Sequence, residues 1–175
     1  MKNLMLLLLI AFVFSFAQCK KSNPDSNGLP AATQDGKNTL GFLLNGQPWK
    51  PQGTVLTGNL SIDFDINFNQ GIFNIVAYDF TSPNPEQLTI GVRDSLIFMS
   101  APFSLNLNRN SLYVISFTKN CEYFSTLSDV ESSGSLTVSK LDKINHIISG
   151  TFNAVLSKVG CDTVRITEGR FDMKY

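Results

Sequence analysis

The stretch Leu60-Ser-Ile-Asp-Phe-Asp-Ile-Asn-Phe-Asn69 constrains the fold more than any other part of the chain. Apolar residues fall at Leu60, Ile62, Phe64, Ile66 and Phe68, and polar ones at Ser61, Asp63, Asp65, Asn67 and Asn69 lie between them. Successive side chains of a strand point to opposite faces, so this period of two gives one greasy face and one wet face. A turn-like Asn69-Gln70-Gly71 follows. Then comes Ile72-Phe-Asn-Ile-Val-Ala-Tyr-Asp-Phe80, with apolar residues on both parities. That pattern suits a strand buried more deeply than its partner. Together the two segments predict a hairpin in an antiparallel sheet packed on one side.

Further strands are expected at Gln87–Arg93, Phe103–Leu107, Leu112–Thr118, Ser135–Lys140, Ile147–Leu156 and Asp162–Tyr175. Gly, Pro, Asn and Ser mark the breaks at Thr81–Pro85, Ala101-Pro102, Asn108–Asn110 and Ser132–Gly134. Past the leader no long window carries a helical period, although Cys121–Val130 has room for a turn or two of helix. The last strand contains a conflict. Val164 and Ile166 lie on even positions, whereas Phe171, Met173 and Tyr175 lie on odd ones. A straight strand cannot turn both sets inward, so a bulge is predicted near Glu168-Gly169. Asn45-Gly46 is the favoured pair for a tight hairpin turn, with Gly41–Leu44 as the incoming strand. The fold class is therefore all-β: one antiparallel sandwich or flattened, lipocalin-like barrel of about 9–10 strands. The chain's 14 Phe, four Tyr and one Trp favour an aromatic interior, even with three of the Phe in the leader.

The N-terminus reads as an export signal. Lys2 precedes an apolar run from Leu4 to Phe16, shorter than the roughly 20 residues a membrane span requires. Ser15-Phe16-Ala17 offers signal peptidase a cut before Gln18, which would release a secreted protein. Alternatively Cys19 is the lipid-accepting cysteine of a lipoprotein. Gln18 is unusual before such a cysteine, but the chain has three cysteines. Lipidating Cys19 leaves Cys121 and Cys161 as an even pair in an oxidising compartment, where a disulfide is expected. Cys-Lys-Lys-Ser also resembles the mature start of many Bacteroidota lipoproteins. The division is then a signal peptide at 1–18, a lipid anchor and flexible tether at 19–37, and a β-domain at 38–175. The tether follows from composition: Lys20–Lys37 is too poor in apolar residues to order itself.

Two stretches carry a family resemblance. Leu29-Pro-Ala-Ala-Thr-Gln-Asp-Gly-Lys-Asn-Thr-Leu-Gly-Phe-Leu-Leu-Asn-Gly-Gln-Pro-Trp49 resembles the opening of a Bacteroidota lipoprotein family known as a domain of unknown function. Ile166-Thr-Glu-Gly-Arg-Phe-Asp-Met-Lys-Tyr175 is similar to its ending. The resemblance implies an envelope location, at the outer membrane, and the extent of the domain; it implies no activity. Trp49, between Pro48 and Pro51, has two readings: a plug closing one end of the core, or an exposed platform on which a sugar or peptide stacks.

Few residues suggest chemistry. Asp63-Phe-Asp65-Ile-Asn67 superficially matches the start of a calcium loop, but Phe68 stands where such a loop demands Gly. The acids are better read as a solvated sheet face. The one histidine, His146, falls in the turn-like Asp142-Lys-Ile-Asn-His-Ile and is read as a lone surface residue in preference to a triad or metal cluster. Nucleophile-elbow, zinc-protease and C-x-x-C motifs are missing, so no cofactor or metal is expected. With 14 basic and 14 acidic residues and no basic cluster, the chain has no footprint for nucleic acid. Asp94-Ser95-Leu96 and Asp162-Thr163-Val164 resemble Bacteroidota O-glycosylation sites, or are ordinary turn and strand residues. The expected function is a non-catalytic, lipid-tethered β-domain that binds an envelope protein or ligand. The alternatives are a hydrolase using paired carboxylates and a barrel that carries an apolar ligand.

Overall fold

The computed structural model describes residues 25, 27–53, 56 and 58–175. Eleven strands follow one another: β1 (Thr39–Leu44), β2 (Gln47–Trp49), β3 (Leu60–Asp65), β4 (Ile72–Asp79), β5 (Glu86–Val92), β6 (Phe103–Asn106), β7 (Tyr113–Thr118), β8 (Glu122–Phe124), β9 (Val130–Asp142), β10 (Ile147–Lys158) and β11 (Val164–Lys174). They form a six-stranded sheet A, ordered β2-β1-β11-β10-β9-β6, and a five-stranded sheet B, ordered β3-β4-β5-β7-β8. All of these pairings are antiparallel. The molecule is a two-sheet β-sandwich.

The barrel alternative is corrected, because among the described residues no strand of one sheet pairs with a strand of the other. Closure would need long, compatible edges. β2 and β8 are three residues long and β6 four. β3 is longer but carries Asp63 and Asp65, which oppose pairing with a further strand.

Between the sheets lies the aromatic interior. Phe73 of β4 meets Phe171 of β11 with ring centroids 6.2 Å apart. Phe152 of β10 meets Phe42 of β1 edge-on at 5.9 Å. Burying each such ring is worth roughly 1.5–3 kcal/mol, and edge-to-face contact adds to this.

The hairpin lies where the alternation put it. β3 pairs with β4 from Leu60↔Ala77 to Asp65↔Ile72, and Phe73, Ile75 and Ala77 of β4 are fully buried. It ends earlier than the alternation suggested, at Asp65 instead of Asn69. Asp65 Oδ1 accepts the amides of Asn67 and Phe68 at 2.8 and 3.2 Å, and Asn69 and Gln70 take positive φ of 46° and 59°. The chain bends into a 3₁₀ turn at Phe68–Gln70, which leaves Phe68 exposed.

Three other expectations met different outcomes. The bulge in β11 is present: its pairing with β10 steps between Phe152 and Ala154, and Val164, Ile166, Phe171 and Met173 are all buried. The positive φ, 53°, sits on Glu168. Gly169 serves a close approach instead, since a Cβ there would lie 2.5 Å from the Phe152 carbonyl oxygen. The break at Ser132–Gly134 is corrected, because β9 runs straight through it, paired with β10 from Val130↔Lys158 to Asp142↔Ile147. The helical turn in Cys121–Val130 is also corrected. That segment forms β8 and then two tight turns, in which Leu127 and Val130 donate to the carbonyls of Phe124 and Leu127.

Candidate functional site

The segment expected to be a tether packs on sheet A from Asp25 onward. Leu29 is fully buried, and Pro30 lies over Gly41 so closely that a Cβ on Gly41 would come within 2.5 Å of the Pro30 ring. A buried carboxylate clips this strap down. Asp172 of β11, 1% exposed, accepts the Thr33 hydroxyl and the amides of Asp35, Gly36 and Lys37 at 3.0, 2.8 and 3.1 Å. Burial alone would raise the Asp172 pKa, but the Thr33 hydroxyl and the three amides outweigh it and hold it below the ordinary value. At the other end of the strap Asp25 pairs with Arg170 and accepts the Leu29 and Asn27 amides at 3.1 and 3.0 Å. The ordered body therefore begins well before residue 38. Cys19 and the rest of 1–24 lie outside the described residues.

Trp49 closes the core. It is 4% exposed, stacks on Phe42 at 4.6 Å, and donates from Nε1 to Glu86 Oε2 at 2.6 Å. The second Glu86 oxygen is paired with Lys119. A ring held this way offers no face to a ligand, so the stacking platform is corrected to the core plug.

Cys121 and Cys161 form a disulfide, with Cα atoms 6.3 Å apart. The bridge ties the start of β8 to the β10–β11 turn, and beside it the Tyr123 hydroxyl donates to the Asp162 carbonyl. Thr163 lines an open groove of about 240 Å³ there with Asn45, Phe117 and Asn120. Ser95 donates to Asp94 at 2.9 Å, and the following Leu96 is fully buried. Asp63 and Asp65 sit on the exposed face of β3, and among the described residues no three His, Cys, Asp or Glu side chains gather as metal ligands. His146 lies in the β9–β10 turn with its ring edge-on to Tyr175.

Two more open grooves face solvent. One, of about 350 Å³, lies along the sandwich edge between Pro30, Asn38, Lys50 and Leu60. The other, of about 320 Å³, lies on the outer face of sheet B between Gln87, Thr89, Ser116 and Phe124.

Sequence reasoning missed the strap and its clip. The available signals were Leu29, a lone large apolar residue in a polar run, and Asp172, an acid wedged between Phe171 and Met173. Neither a protein-family model, nor a curated protein, nor a solved structure matches this chain.

Proposed function

We propose that this is a lipoprotein of the cell envelope, anchored in the outer membrane through Cys19, whose β-sandwich binds or assembles with another envelope component and performs no catalysis. The Bacteroidota lipoprotein family resembled at Leu29–Trp49 and Ile166–Tyr175 is the proposed family. The observation that carries the reading is the order of parts. A leader-like apolar run ends just before Cys19, and a strap clipped to the sandwich begins six residues after it. The Cys121–Cys161 disulfide fits an oxidising compartment outside the inner membrane.

Hydrolysis by paired carboxylates needs one acid held protonated. The displaced acids run the other way. Burial works against Asp25 and Asp172 but donated hydrogen bonds outweigh it, while Lys158 lowers Asp129 and Asn145 lowers Asp142. The carrier alternative loses its barrel, and rings fill the space between the sheets.

Fractionation of expressing cells tests the mooring. The full-length protein is expected in the membrane fraction, released only by detergent, and Cys19→Ser in the soluble envelope fraction. Equal solubility of the two would reject the proposal.

A further inference from the structure

Apart from Leu56 in the β2–β3 loop and Phe124 on the outer face of sheet B, the exposed large apolar residues lie toward two ends of the sandwich, and one end is better placed to meet a bilayer. At the first end the β3–β4 loop presents Phe68, 56% exposed, and the β5–β6 loop presents Ile97 and Phe98, 39% and 72% exposed. The two loops are bonded together: the Ser95 amide donates to Asn69 O and the Leu96 amide to Gly71 O, each at 3.0 Å. Leu96, fully buried, pins the second loop from below. These rings are therefore presented on a fixed surface. Ile144, 87% exposed, is joined to this end through His146 and Tyr175, the latter stacked on Phe64 at 3.8 Å. At the opposite end stand Leu127 and Val159.

The anchor's reach decides between them. Cys19 lies six residues from Asp25, a span of at most roughly 20 Å. Asp25 is clipped to Arg170, which pairs with Thr151 of β10. From Thr151 the strand runs four residues back to Ile147, roughly 13 Å, at the Phe68 and Phe98 end. It runs seven residues forward to its end at Lys158, roughly 23 Å, beside Val159 at the other. With the Val159 end down, the strap, whose Asn27 also bonds Glu168, would stand at the limit of the lipidated cysteine's reach. With the Phe98 end down, it stands within reach. Exposed apolar surface suits a protein or a membrane contact, and for a body tethered this close to its lipid anchor the bilayer is the nearest apolar partner.

We propose that Phe68, Ile97 and Phe98 seat against the lipid bilayer, so that the sandwich stands on this end with sheet B's outer groove and the disulfide end free for a partner. The inference rests on acylation of Cys19. Its test uses the mature acylated protein in phosphatidylcholine vesicles carrying brominated acyl chains, with Phe98→Trp, Phe68→Trp and Val159→Trp compared. Trp49 is buried, so its unquenched emission reports that each variant is folded. The expected result is a blue-shifted added emission, largely lost to the brominated lipid, for Phe98→Trp and Phe68→Trp, and none lost for Val159→Trp. Vesicle-bound protein in which the Phe98→Trp and Phe68→Trp emissions are unquenched, or in which all three variants are quenched alike, overturns the inference and leaves the anchor standing. Protein without an acyl mass at Cys19 that fails to float with vesicles takes down the lipoprotein reading and the inference with it.

Discussion

At the scale of single residues, Asp172 has the clearest consequence. Its folded pKa lies below the ordinary value near 3.9, so the stability it supplies is fully present above that value. It is lost as pH falls through the lowered folded pKa, because the unfolded chain then binds the proton more readily. Asp172→Asn is predicted to lower stability at neutral pH by about 2–3 kcal/mol, the scale of hydrogen bonds to a charged group. It should also flatten the acid limb of a thermal-unfolding series against pH; an unchanged limb would mean that the clip does not titrate. Tyr113 presents the opposite case. It is fully buried, burial pushes its phenol well above the usual range, and its hydroxyl has no partner among the described residues. Tyr113→Phe is therefore expected to be neutral or to raise stability by up to about 1 kcal/mol, as denaturant titration would show. Such residues were not legible beforehand. The donors to Asp172 lie 135 to 139 positions away, and nothing local to Phe171-Asp172-Met173 announces them.

Elements were legible where the pattern was local. The β3–β4 hairpin, the Asn45-Gly46 turn and the β11 bulge all follow from periodicity and turn chemistry. Asn45 and Gly46 adopt the positive φ, 49° and 83°, that this turn requires. The start of β9 is hidden in the sequence because Ser132-Ser133-Gly134 reads as a loop, although full pairing with β10 carries the strand through. The composition of the strap resembles a tether's because composition reports only what a segment can bury by itself, not the sheet waiting beneath it. Gly41→Ala tests that packing. A methyl group there meets the Pro30 ring, so the variant should lose about 1–3 kcal/mol and expose 29–37 to limited proteolysis while the strands stay protected. A strap as resistant as the wild type's would show that it is not seated on Gly41. The Cys121–Cys161 bridge closes a sequence separation of 40. Replacing both cysteines by Ser is expected to cost roughly 3–4 kcal/mol in the chain-entropy account, read from urea unfolding without reductant.

At the scale of the whole molecule, alternation established an all-β body but did not separate sandwich from barrel. That choice depends on which edge strands meet, and among the described residues the short β2, β6 and β8 and the acidic β3 pair with no strand of the other sheet. The clipped strap places the sandwich six residues from Cys19. In the proposed lipoprotein it would join body and mooring and limit how that body stands above a membrane. The most direct test of this account is the intact mass of the native, non-reduced protein purified from envelopes. The account predicts a chain starting at Cys19, heavier by its acyl groups and lighter by the two hydrogens of one disulfide. An unacylated chain starting at Gln18 would contradict it.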